Sequence, residues 1–134
     1  MSNSAVILAM ISDWIDNSPE NLARDPEART WGRLAKVSEE CGEVIGAYIG
    51  VTGQNPRKGV NHSQDDVLKE LLDVAITALC AYEHMTGNKA QSLEALFTCI
   101  HSTAKRAEIE SHYQSLTGQW TYPEQIPPWK EGHS

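Results

Sequence analysis

The sequence is poor in cysteine, and its three, Cys41, Cys80 and Cys99, are odd in number and contain no C-x-x-C. Neither a disulfide framework nor a cysteine zinc site is suggested, and a reducing, cytoplasmic setting is expected. Long apolar runs are missing too. No stretch approaches the roughly 20 residues of a membrane span. Residues 6–10 are short, lack a basic lead-in and are soon followed by Asp13 and Asp16, so they do not read as a secretion signal. Basic residues are few: 11 Lys and Arg stand against 18 Asp and Glu, a net charge of −7. That balance argues against sequence-independent binding to a nucleic-acid backbone. Strand signals are weak throughout, and there is no internal repeat or low-complexity segment.

What is present is helical periodicity. Val6, Ile7, Met10, Ile11, Trp14 and Ile15 recur at helical spacing after Ser4, read as the N-cap, and Asn17-Ser18-Pro19 ends the run. Asp25-Pro26-Glu27 supplies a cap, a first-turn proline and an acid at the positive end of a second helix. Its stripe is Leu34, Val37, Cys41, Val44, Ile45 and Tyr48, and Gly50 and Gly53 close it. Residues 53–62 read as a loop carrying Arg57 and Lys58. Ser63 with Asp66 resembles a capping box and opens a third helix that is apolar almost all round from Val67 to Tyr82, the pattern of a central, buried helix. After Gly87-Asn88, a fourth helix runs through Leu93, Leu96, Phe97, Ile100, Ala104 and Ala107 towards Tyr113. Residues 118–134 form an irregular tail with Trp120, Pro123, Pro127, Pro128 and Trp129. The expectation is one all-α domain over residues 1–134, a four-helix bundle with its core in 25–116. The buried third helix needs more cover than three neighbours give, which calls for a homo-oligomer.

Two acidic clusters stand out, Glu39-Glu40-Cys41-Gly42-Glu43 and Glu70-Leu71-Leu72-Asp73. The i,i+3 spacing puts Glu40 with Glu43, and Glu70 with Asp73, each on one helical face. The first cluster alone reads as an ordinary solvated face. Asp73 changes the balance, because a carboxylate among apolar neighbours needs a compensating cation. Lys69 is expected to point to a different face, and Lys36, one turn before Glu40, to pair with one acid only. Four converging carboxylates suit a hard divalent cation such as Mg²⁺.

The paired pattern E-E-x-x-E and E-x-x-D, within residues 31–85, resembles the all-α nucleoside triphosphate pyrophosphohydrolases, the MazG-like superfamily that includes dCTP pyrophosphatases and dimeric dUTPases. The resemblance implies that Glu40, Glu43, Glu70 and Asp73 bind Mg²⁺, with Mn²⁺ able to substitute. It implies that Glu39 orients or deprotonates the attacking water, or holds a second ion. A nucleoside triphosphate is then cut to monophosphate and pyrophosphate by a homodimer or homotetramer. Thr77 departs from the Tyr or Asn often found at its position in relatives. Trp31, Lys36, Arg57, Lys58 and Thr77 are the candidate substrate contacts, although tryptophans such as Trp14 and Trp31 are more commonly core and loop cations more commonly solvated. Gly42 in mid-helix suggests a close approach by a helix or ligand, while His62 and His84 read as ordinary polar residues. A ferritin-like di-iron site is a poor fit for want of Glu-x-x-His. The alternative that stays open is a non-catalytic helical dimerisation or interaction module that retains an acidic motif.

Overall fold

The computed structural model describes residues 2–106 and 109. Those residues are helical, with no strand among them: α1 (Asn3–Asp16), α2 (Pro19–Leu22), α3 (Pro26–Thr52), α4 (Gln64–Thr86) and α5 (Ser92–Arg106). The chain divides into two compact units, Met1–Ser92 and Leu93–Ser134. In place of four helices there are five among the described residues, because Asn17-Ser18-Pro19 both stops α1 and starts a short helix. Ser18 caps α2 through Asn21 N, and Pro19 takes a first-turn position where its missing N–H costs nothing. The cap of α1 also moves, from the expected Ser4 to Ser2, whose hydroxyl accepts from Ala5 N at 3.3 Å.

Helices α3 and α4 form a long hairpin. Asp25 accepts from Ala28 N at 3.0 Å, so one otherwise orphaned donor is satisfied, and Glu27 sits in the first turn. Gly53, at φ 67°, ends α3 in the left-handed region that glycine enters without penalty. The return loop folds onto the last turn: Asn61 N and His62 N both donate to Gly50 O, at 3.0 and 3.4 Å. A Cβ at Gly50 would collide with the Asn61 and His62 side chains, so this is where the chain needs a glycine for close approach. Gly42 was the expected position, but nothing lies within 4 Å of a Cβ built there. The capping box at Ser63 forms as read, with Ser63 N donating to Asp66 at 2.7 Å.

Helix α4 packs on α3 along one side and on α1 along another. Small residues mediate the seam: Ala5, Ala9 and Ser12 of α1, Ala47 and Gly50 of α3, Cys80 and Ala81 of α4 are buried. Arg33 crosses it, donating from Nη2 to Ser12 Oγ at 2.6 Å and to Cys80 O at 2.9 Å. Where the helices part, Asp16 of α1 accepts from His84 Nδ1 at 2.8 Å and from Asn88 Nδ2 at 3.2 Å, and the other ring nitrogen of His84 meets Thr30 Oγ1 at 2.9 Å. His84, read from sequence as an ordinary polar residue, therefore ties three helices together.

The helix read as central, now numbered α4, is not covered on all sides by its own chain. In the single chain Leu68, Leu71, Leu72 and Ile76 are exposed, Leu72 by 65%. Within the unit Met1–Ser92, α4 packs on α1 and α3. Both tryptophans in the described residues are exposed as well, Trp31 by 67%, so neither belongs to the core. Helix α5 carries the expected fourth stripe as far as it is described, to Arg106; Ala107, Tyr113 and the 118–134 tail lie outside the described residues.

Candidate metal centre

Because α3 and α4 run side by side, the two acidic clusters face one another. Glu40 and Glu43, one turn apart on α3, meet Glu70 of α4, and one carboxylate oxygen from each lies within 4.8 Å of the other two. Glu40 is the most enclosed, 8% exposed, whereas Glu43 opens to solvent. Repulsion from the charge on Glu40, followed by partial desolvation, pushes the Glu43 carboxyl above its usual range; the charges of Glu39 and Glu70 add to this. All three donors are hard carboxylate oxygens, the set that Mg²⁺ or Mn²⁺ accepts, so the residues fit the ion expected from sequence.

The cations around the cluster differ from expectation. Lys36 pairs with two acids, Glu39 and Glu40, the latter at 2.9 Å. Glu39 itself is exposed. Asp73 is neither deeply buried nor short of a partner: Lys69 reaches it along the helix at 2.6 Å and stands 3.9 Å from Glu70. Lys69 thus shares the face of Asp73, since i,i+4 neighbours on a helix lie one above the other. The desolvation argument for Asp73 fails because its side chain is 36% exposed and has Lys69 beside it.

The buried carboxylate lies elsewhere. Glu83 is fully buried and accepts from Ala90 N at 3.0 Å and Ser92 N at 2.7 Å. It holds the turn after α4, where Asn88 and Ala90 both have positive φ. Nothing in its sequence neighbourhood distinguished it from a surface acid, except that the following Gly-Asn turn leaves amide donors to satisfy.

Of the other candidates, Thr77 lies on the wall of a cavity between α1, α3 and α4, and Lys36 joins it there. Arg57 and Lys58 are exposed in the loop, where the Arg57 backbone N–H donates to Asn55 Oδ1 at 3.1 Å. Trp31 is outside that cavity wall. Among the described residues no helix is long and apolar enough to cross a membrane. No family model matches the chain, and neither a curated protein nor a solved structure matches it.

Proposed function

We propose that the chain is a Mg²⁺-dependent nucleoside triphosphate pyrophosphohydrolase of the MazG-like kind, producing a nucleoside monophosphate and pyrophosphate. The observation that carries this reading is the convergence of Glu40, Glu43 and Glu70 from two helices onto one point. Like charges at that spacing are unfavourable unless a cation compensates them; the exposed Lys36 and Lys69 stand beside Glu40 and Glu70, yet the charge on Glu40 still raises the Glu43 carboxyl. Glu40, Glu43 and Glu70 are the residues that hold the ion, and Asp73, one turn along α4 from Glu70, is the fourth carboxylate of that face. When bound, the divalent ion neutralises triphosphate charge and lowers the pKa of a water. Glu39 orients or deprotonates the attacking water, with Lys36 fixing its direction. The test is a panel of nucleoside triphosphates with Mg²⁺ and with EDTA, scored for pyrophosphate against orthophosphate. Pyrophosphate release that needs the metal is expected; orthophosphate as the first product would refute the reaction.

The exposed apolar residues support a homo-oligomer, a dimer or tetramer in which Ile45 and Tyr48 of α3 and Leu68 and Leu72 of α4 are covered. They equally favour the second reading, a non-catalytic interaction module. Calorimetric titration with Mg²⁺ separates the two, since such a module has no use for the ion.

A further inference from the structure

Between α1, α3 and α4 lies a cavity of about 520 Å³, within the range of roughly 300–1,000 Å³ typical of small-molecule sites. Ile11, Ile15 and Ile76 give it apolar walls; Arg24, Arg29 and Arg33 line it as well, and no carboxylate does. Lys36 is a fourth cation on the wall, but Glu39 and Glu40 already balance it. The arginines differ. None of the three forms an ion pair with a carboxylate among the described residues. Arg33, only 8% exposed, donates from Nη2 to the neutral oxygens Ser12 Oγ and Cys80 O, and Arg24 donates from Nη1 to Asn21 Oδ1 and Glu20 O. A guanidinium does not shed its proton, so these charges cannot be discharged in place. Charge withdrawn from water needs an opposite charge, and here the fold supplies none.

We propose that this cavity binds phosphate groups through Arg24, Arg29 and Arg33, those of a free di- or triphosphate or of the tail of a nucleotide. Three cations call for a polyvalent anion. A terminal phosphate brings a charge near −2 and three strong acceptor oxygens, which guanidinium forks meet two at a time, whereas a carboxylate brings one charge and two oxygens. Isoleucine walls strengthen such a pairing by keeping the local dielectric low. The chain as a whole carries −7, so a polyanion gains nothing from its general field and must owe its affinity to this local cluster. The inference stands on the cavity's charge alone and does not need the hydrolytic reaction.

The experiment titrates the full chain by calorimetry in buffer freed of divalent metal, so that no metal-bridged binding at the acid cluster is read. Sodium tripolyphosphate, UTP, uridine and citrate are the separate probes. Tripolyphosphate and UTP are expected to bind, uridine to give no signal, and citrate to bind at least about fivefold more weakly than tripolyphosphate. Arg24→Met and Arg29→Met, each shown to be folded by its thermal melt, should each lower the tripolyphosphate affinity by at least about fivefold, the worth of one nearby charge. Arg24 is exposed, so its variant keeps the test decisive if Arg29→Met does not fold. UTP binding tighter than tripolyphosphate identifies a nucleotide tail as the ligand, and equal or weaker binding identifies the free chain. Three results overturn the inference: no tripolyphosphate binding by the wild type at millimolar concentration, citrate or uridine bound as tightly as tripolyphosphate, or unchanged affinity in either folded variant. Tripolyphosphate binding without pyrophosphate release from any nucleoside triphosphate defeats the reaction and leaves this inference standing.

Discussion

Lys36 Nζ lies 2.9 Å from Glu40 Oε1, and the same ammonium also pairs with Glu39, so one lysine is the counter-charge on the α3 side of the acid cluster. Both carboxylates hold its pKa far above the usual lysine range, first through the bond to Glu39 and then through that to Glu40. The lysine therefore stays charged and competes with any cation for Glu40. Lys36→Met is expected to tighten Mg²⁺ binding by roughly fivefold, the effect of removing one nearby surface charge in a high-dielectric setting. Calorimetry at low salt reads this directly. Weaker Mg²⁺ binding in the variant would mean that Lys36 positions the acids more than it opposes the ion.

Glu43→Gln should lower kcat by at least about 100-fold, because losing a ligand misplaces the ion instead of merely weakening substrate binding. The same residue makes a pH prediction for the metal-free protein. The carboxyl of Glu43 is raised above its ordinary value of 4.5 by the charge on Glu40. The folded state thus favours the protonated form. Its stabilising contribution is fully present below the unfolded value and is lost as pH rises through the raised one. In EDTA at pH 7, Glu43→Gln should melt at or above the wild type, and the difference should vanish in acid, where Glu43 is protonated. A variant less stable than the wild type at pH 7 in EDTA would show that the cluster is not repulsive.

Helix existence and the two acidic faces were legible in the sequence because periodicity and caps are local signals. Ser63 with Asp66, Asp25 with Pro26, and Gly53 each act through neighbours within a few residues. The meeting of Glu40, Glu43 and Glu70 followed from i,i+3 spacing once α3 and α4 were taken as adjacent. What the sequence hid is tertiary. Whether an apolar face is covered depends on how many helices pack there, so α4 read as central although Leu68 and Leu72 are exposed in the single chain. The partnership of His84 with Asp16 spans 68 residues, and no local pattern announces it. For the same reason the expected buried carboxylate, Asp73, is partly exposed, while Glu83, which carried no expectation, is fully buried against the turn after α4.

Glu83 gives a prediction independent of metal. Its two oxygens accept from Ala90 N and Ser92 N, and Asn88 N donates to its backbone carbonyl at 2.7 Å, so the turn after α4 hangs on this residue. Glu83→Gln keeps the shape but replaces one acceptor with a donor facing an amide N–H. One buried amide is then unpaired, at a cost of about 1–3 kcal/mol. Urea denaturation with and without Mg²⁺ should show the same loss in both. A loss confined to the metal-bound protein would tie Glu83 to the acid cluster instead.

The last prediction separates a metal site from a structural ion pair, using Asp73. Its partner Lys69 is exposed, and pairs of that kind add little to stability because solvent and salt screen them. Asp73→Asn nearly preserves shape and removes one negative charge from the face that carries Glu70. In EDTA the variant should therefore melt close to the wild type. Mg²⁺ binding to the folded state alone stabilises by mass action, so a saturating concentration should raise the wild-type melting temperature. If Asp73 completes the ligand set, the same Mg²⁺ should do far less for Asp73→Asn. An equal shift in both proteins would restrict the ion to Glu40, Glu43 and Glu70, the three whose oxygens already converge. No shift in either, or a large loss of stability in the variant with EDTA present, would refute the metal site, since the Asp73–Lys69 pair would then be holding the fold instead of waiting for a cation.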